Sequence, residues 1–445
     1  IHKKGKTMAK QRDFNNFLSE IEPSSTTVAY ISSLQSTLRD YLKNHDTYKK
    51  IHVDTFLSGS YAKHTSIRPT SKGKKRDVDI IVVTSYEMTD DSKKVISELK
   101  DVLIQNANYN SATIQSHSVG IEMGGLSIDV VPVISDQDDE EVYYIGDSNT
   151  GEWTKTDPKG HKVWSTTVNK EHNKKYKPLV KIFKWWRQTN CPEDIKYPKG
   201  ITLEKIIADN LGDSSLGTED FLIATMQNIV ATYKEDYADA RVNPTISDPS
   251  EKIEGNDLLA GYSTTDFSNF IDKLSEHVSM LNDEGTENDT WRKILGDEFP
   301  KEGCKAIACS SVSNVYSCIF APYKEKPRWP MQRGGAAFIT LRVTAADGSD
   351  VEYISNDIPL EKRCTLHFRA LTGVRRPYSV IWQVVNTGQE ATMANCLRGN
   401  FEPSNEGFDG KRESTLYKGT HSVQCFIIKN GICVAKSKEF IVNIR

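Results

Sequence analysis

The sequence predicts a mixed α/β (α+β) protein in three parts: a sheet-and-helix core, a helical second lobe and a β-sandwich-like carboxyl-terminal domain. Short apolar runs with strand character crowd the region from about 50 to 135. From Pro178 onward, apolar residues recur at helical spacing. After about residue 305 the pattern changes again, to short β-rich runs separated by Gly, Pro and Asn turns. A chain of 445 residues is too long for one compact core, so two or three domains are expected.

The elements follow in order. Residues 1–7, "IHKKGKT", precede Met8 and read as a tag remnant or a misplaced start, so they are set aside. "SSTTVAYISSLQSTLRDYLKNH" offers Ser and Thr caps, then Ile31, Leu34, Leu38 and Leu42 at helical spacing. "FLSGSYAKHTSIRPTSKGKKRDVDIIVV" opens with a Gly-Ser turn and closes on a strand. The helix of "SKKVISELKDVLIQN" packs on the sheet, and "TIQSHSVGIEM" and "LSIDVVPV" are strands joined by turn glycines at Gly124 and Gly125. "PLVKIFKWWRQ", "ITLEKIIADNL", "TEDFLIATMQNIVATYK" and "FSNFIDKLSEHVSMLND" form the helical block. The tail strands include "AAFITLRVT", "CTLHFRAL", "YSVIWQVVN" and "EFIVNIR", and Asn430-Gly431 marks a two-residue hairpin. These shifts place boundaries at 8–200 for the core, 201–303 for the helical lobe and 304–445 for a separate β-rich domain.

Composition narrows the function. With 37% hydrophobic and 26% charged residues the chain is an ordinary folded protein. A net charge of −3 argues against a general nucleic-acid coat, so any polyanion must meet a local positive site. No apolar run approaches the roughly 20 residues of a membrane span, and no signal-peptide core is present; a cytoplasmic protein without a membrane partner is expected. Cys304, Cys309 and Cys318 lack a C-x-x-C pair, which disfavours zinc; reduced, buried thiols are the better reading.

The chemistry is concentrated in a few acids. Asp77 and Asp79 lie two apart on a strand, so they share a face while Val78 and Ile80 point to the core. A lone Asp129 interrupts the apolar run of a second strand. Three such acids repel unless cations intervene, and hard Mg²⁺, held by carboxylates and substrate phosphates, suits them. The plainer alternative has the Asp-x-Asp solvated or paired with Lys75 and Arg76. Upstream, Gly59 permits close backbone approach and Ser60 offers a hydroxyl and an amide to an anion. Lys181 and Lys184 share a helical face, where snorkelling lysines are the plainer reading. "SKGKKR" reads as a solvated loop ahead of an RNA contact, and Tyr61 and Tyr197 as packing ahead of base stacking.

"GSYAKHTSIRP", "DVDIIVV", "IDVVPV" and "WSTTVNKEHNKKYKPLVKIFKWWR" together resemble the polymerase-β-like nucleotidyltransferases. The nearer branch is that of oligoadenylate synthetase and cyclic GMP–AMP synthase, and within it the bacterial CD-NTases that make second messengers for anti-phage defence. The resemblance implies Asp77, Asp79 and Asp129 as ligands of Mg²⁺ or Mn²⁺, and Gly59, Ser60, Lys181 and Lys184 as binders of the NTP donor. It implies a template-independent synthase of cyclic or short linear oligonucleotides, acting through a downstream effector. The alternatives are an RNA-tailing or protein-modifying transferase, and an inactive nucleotide- or RNA-binding sensor. "RCTLHFRAL", "PYSVIWQVVNTGQEA", "LRGNF" and "FIVNIR" resemble the AGS-C sensor domain of such enzymes, which implies a nucleotide or RNA ligand there. Trp382, Asn386, Arg398, Tyr417 and His421 are its candidate pocket residues; the plainer reading makes them sandwich core and turns.

Overall fold

The computed structural model describes residues 2–69, 75–136, 141–301, 318–332, 334–357 and 359–445. Helices α1 (His2–Ile21) and α2 (Ser25–Asn44) lead in. They are followed by β1 (His52–Leu57), the short α3 (Gly59–Lys63), β2 (Arg76–Thr84), α4 (Ser92–Leu103), β3 (Thr113–Ile114), β4 (Val119–Met123), β5 (Leu126–Ser135), β6 (Tyr143–Gly146) and β7 (Trp153–Thr156). The strands form one mixed sheet in the order β1-β2-β5-β4-β3, extended by β6 and β7. β2 and β5 run parallel, with Asp79 opposite Asp129. Period-two alternation then puts Asp77, Asp79 and Asp129 on the sheet face opposite Val78, Ile80, Ile128 and Val130.

Helices α5 (Pro158–Glu171), α6 (Tyr176–Asn190), α7 (Gly200–Asp209), α8 (Thr218–Tyr233), α9 (Thr264–Glu284) and α10 (Asn288–Leu295) follow. Those from α6 to α10 build the helical lobe around Phe183, Trp186, Phe267, Phe270 and Trp291. α1 belongs to this lobe: Phe14 packs edge-on against Trp291, with ring centroids 5.2 Å apart. The lobe core therefore draws on the amino-terminal helix as well as on residues beyond 200.

The remaining strands are β8 (Ala337–Thr344), β9 (Asp350–Tyr353), β10 (Thr365–Thr372), β11 (Ser379–Val385), β12 (Phe401–Pro403), β13 (Gly410–Ser414), β14 (Gly419–Lys429), β15 (Ile432–Lys436) and β16 (Phe440–Ile444). They form two antiparallel sheets, β13-β10-β8-β9 and β12-β11-β14-β15, with β16 also paired to β14. The β14–β15 turn is the expected Asn430-Gly431 hairpin, both residues at positive φ as its tight geometry requires.

The tail, expected as a separate β-rich domain, packs closely on the rest of the chain. Both sheets share one continuous core with α2, α4 and the catalytic sheet. Tyr30 on α2 meets Phe338 and Phe440 edge-on, at 5.7 and 5.8 Å. Ile31, Leu34 and Leu38 are buried in the same cluster. Polar contacts add to this seam: the Asp40 carboxylate accepts from the Ala336 N–H at 2.7 Å, and the Glu352 carboxylate accepts from the Gly125 N–H at 2.6 Å.

Candidate active site

The Gly-Ser turn closes over the end of β2. Gly59 has φ +58, and a Cβ there would lie 1.8 Å from Asp79 Oδ2. Only glycine allows that approach. The Ser58 N–H donates to the Asp79 carbonyl at 2.9 Å, which ties the turn to the strand, and Ser60 faces the cleft beside it.

The three acids sense one another. Burial first, then Asp129 and Asp77, raise Asp79 to about 6, although Lys63 and Lys184 pull the other way. Burial and Asp129 raise Asp77. Burial also raises Asp129, opposed by hydrogen bonds from Ser118 and Gln115, and its Oδ1 is buried without a hydrogen-bond partner. An orphaned carboxylate oxygen beside two crowded carboxylates fits hard divalent cations. Among the described residues no group of three or more His, Cys, Asp or Glu side chains is placed to hold a metal ion by itself, the three aspartates included. Mg²⁺ or Mn²⁺ would take one or two of these carboxylates and need water and phosphate oxygens for the rest.

Opposite the acids stands a buried charge cluster that the sequence reading missed. Glu204 on α7 is fully buried, pairs with Lys184 on α6 at 2.6 Å, and pairs with Lys63 on α3 at 2.8 Å. Thr65 Oγ donates to the same carboxylate at 3.0 Å. Burial alone would raise Glu204, but the two ammonium groups overcome it and hold it down to about 2. One carboxylate pairs with two lysines, which leaves one positive charge over within this trio; burial lowers the Lys184 pKa, and both ammonium groups also act on Asp79 across the cleft. The signal was present in "TLEKII": a Glu flanked by buried Leu203 and Ile206 needs a partner.

Acids and cations line one cleft of about 1110 Å³, together with Tyr61, Arg187, Lys199 and Tyr262. Tyr262 is half-buried; its hydroxyl accepts the Lys199 N–H at 3.1 Å, and its ring lies under the Lys196 ammonium at 4.7 Å. Beyond the acids the floor turns apolar, with Ile81, Val131 and Val133 on the same sheet face. Lys184 reaches this cleft; Lys181 does not. Its ammonium sits on Glu22 at 2.8 Å, one helical turn away from the charge cluster, which corrects the pairing of the two lysines. Tyr197 stacks on Trp186 in the helical core, and Tyr61 is buried. Within "SKGKKR", Lys75 pairs with Glu122 and Arg76 with Asp357; residues 71–74 lie outside the described residues. So do Cys304 and Cys309, while Cys318 is buried.

The carboxyl-terminal candidates divide. Asn386, Arg398, Tyr417 and His421 border a cavity of about 230 Å³ between the two sheets. Trp382 does not: it is a fully buried core ring whose indole N–H donates to Ser404 Oγ at 3.1 Å. The Arg398 guanidinium, expected as a ligand contact, is shared between Glu402 and Glu413, each at 2.8 Å.

Among the described residues no helix is long and apolar enough to cross a membrane. Residues 8–169 match the Second Messenger Oligonucleotide or Dinucleotide Synthetase domain, and residues 321–445 the Adenylyl/Guanylyl and SMODS C-terminal sensor domain. A cyclic AMP-AMP-AMP synthase from Acinetobacter sp. is 35% identical over 74% of this chain and 98% of its own. The CBASS oligonucleotide cyclase CdnC of Escherichia coli (strain KTE188) is 28% identical over 62% of this chain and 90% of its own. The CD-NTase CdnG of Bradyrhizobium diazoefficiens, solved in complex with GTP, shares the fold at a TM-score of 0.55 and 11% identity, over 64% of this chain and 95% of that one. The chain belongs to the CD-NTase family of nucleotidyltransferases, with a synthetase domain followed by the family's carboxyl-terminal sensor domain.

Proposed function

We propose that this chain is a Mg²⁺-dependent, template-independent nucleotidyltransferase that joins NTPs into a cyclic or short linear oligonucleotide second messenger. Its setting is the cytosol of a bacterium, in CBASS-like defence against phage, with a downstream effector reading the product and the carboxyl-terminal domain regulating the output. The observation that carries this reading is the pairing of Asp79 with Asp129 across parallel strands, opposite a cation cluster with surplus charge.

Lys63 and Lys184 face the donor triphosphate, and Ser60 in the Gly-Ser turn orients it. Asp77, Asp79 and Asp129 hold the divalent ions. When bound, those ions lower the pKa of an acceptor hydroxyl and neutralise the leaving pyrophosphate. Asp129 would help deprotonate the attacking ribose hydroxyl at the metal. The hydroxyl oxygen bonds to the α-phosphorus as the bond to pyrophosphate breaks. The apolar floor of Ile81, Val131 and Val133 supports the acceptor base, and the Tyr262 ring borders the cleft on the lobe side.

Incubation of the protein with labelled NTPs and Mg²⁺, followed by mass spectrometry, tests this. ATP is the first substrate to supply, given the name of the Acinetobacter relative. Small products are expected from NTPs alone. Products that grow only on added RNA would replace this reading with an RNA-tailing one.

A further inference from the structure

The cavity between the two carboxyl-terminal sheets differs in chemistry from the catalytic cleft. Its inner wall is apolar, built from Phe368, Val384, Val423, Val442 and Ile444. Leu416, 57% exposed, stands at its mouth beside Tyr417 and Cys396, whose sulfur accepts the Tyr417 hydroxyl at 2.9 Å. Among the described residues, the one lysine or arginine that lines it, Arg398, is matched. Arg398 and Lys411 share Glu402 and Glu413, two positive charges against two negative. His421 is neutral: its Nδ1 accepts the Thr387 N–H at 3.2 Å, which leaves Nε2 to donate to the Tyr417 carbonyl at 2.9 Å. Burial also holds its pKa below the usual imidazole value. Among the described residues that line the cavity, no unmatched positive charge remains for a phosphate. An apolar cavity of about 150 Å³ accepts benzene, so about 230 Å³ has room for a bicyclic ring but not for a nucleotide.

One wall of this cavity is joined to the active site. Val442 and Ile444 face the cavity, and Asn443 between them turns the other way. The Asn443 side-chain amide donates to Asn356 Oδ1 at 2.9 Å and to the Asp357 carbonyl at 3.2 Å. The Asp357 carboxylate pairs at 3.2 Å with Arg76, a guanidinium 5% exposed and adjacent in sequence to Asp77.

We propose that this cavity is an effector site for a small, uncharged, mostly apolar ring compound, not a nucleotide, and that β16 transmits its occupancy to the strand bearing Asp77. The transmission step rests on the regulatory reading given above; the site itself does not. Occupancy presses on Val442 and Ile444, Asn443 moves with them, and the Asp357–Arg76 pair carries the shift to the end of β2.

The probe is indole, with AMP as its charged counterpart, against the full chain and two variants. Leu416→Trp plugs the mouth from an exposed position, and Asp357→Asn cuts the link without touching the cavity. Indole raises the melting temperature saturably in the wild type and in Asp357→Asn, but not in Leu416→Trp. AMP, bound in the catalytic cleft, gives the same shift in the wild type and Leu416→Trp. Indole changes the rate of product formation from ATP at least about fivefold in the wild type, and this response is lost in Asp357→Asn. No saturable indole shift, or one that survives Leu416→Trp, overturns the site; an AMP shift abolished by Leu416→Trp makes it a nucleotide site. An equal rate response in Asp357→Asn overturns the link. A wild type that makes no product from any NTP defeats the synthase reading, and the melting data still decide the site.

Discussion

Two charge clusters, one buried and one half-buried, invite comparison. In the catalytic cleft, Lys63 and Lys184 share one carboxylate, Glu204, and keep a surplus positive charge. In the carboxyl-terminal domain, Arg398 and Lys411 meet Glu402 and Glu413 and nothing is left over. Burying a charge is tolerable only with a partner, so a surplus persists where a ligand supplies the missing one. On the proposed function the unbalanced cluster meets the donor phosphates, while the balanced one holds strands together.

The largest effect expected is from Asp79→Asn. Pyrophosphate release should fall by at least about a thousandfold, while the melting temperature at pH 7.5 rises. The sign follows from burial and the neighbouring acids, which raise Asp79 to about 6 in the fold. The folded state then loses stability as pH climbs from the unfolded value toward 6, and Asn removes that penalty. A lower melting temperature would count against crowding of the acids.

Glu204→Gln comes next, because it strips two buried cations of their shared partner. A loss of about 3–5 kcal/mol is expected in denaturant titration, with the KM for ATP rising more than kcat falls. Rescue by Glu204→Asp would separate charge from shape. A third site shows a titratable group that burial holds neutral. His277 accepts the Trp186 indole N–H at 2.8 Å, and burial lowers it to about 4, so it is neutral in the fold. Stability should be full above pH 6.5 and decline by about 3 kcal/mol as pH falls to 4; melting curves of His277→Gln should flatten that dependence.

Smaller changes are expected from the balanced cluster. Glu413→Gln leaves Arg398 on Glu402 and should cost about 1–2 kcal/mol, with ATP kinetics unchanged. Lys181→Ala, which removes a half-open pair with Glu22 outside the cleft, should alter turnover less than about twofold. A tenfold loss would return Lys181 to the phosphate site.

The acids were legible because a carboxylate inside an apolar strand is an anomaly that a single sequence displays. Their meeting was not: opposing Asp79 and Asp129 depends on parallel pairing of residues 50 positions apart, which strand periodicity does not encode. The Asn430-Gly431 hairpin was local and therefore readable. α1 went unread because residues 1–7 were set aside and its apolar stripe is thin, essentially Phe14, Phe17 and Ile21. Trp382 and Arg398 show a further limit. Aromatic and basic residues near a turn have the same composition whether they line a pocket or fill a core, and only the neighbouring Ser404, Glu402 and Glu413 distinguish the two.

The double duty of α2 has a practical corollary. Tyr30 and its neighbours were fitted to two sheets at once, so a tail grafted from another family member would arrive with the wrong mould for this helix. Swaps that keep α2 with the incoming tail, and accept a new seam against β1 and α4, should yield well-behaved chimeras where a cut at the start of β8 yields aggregates.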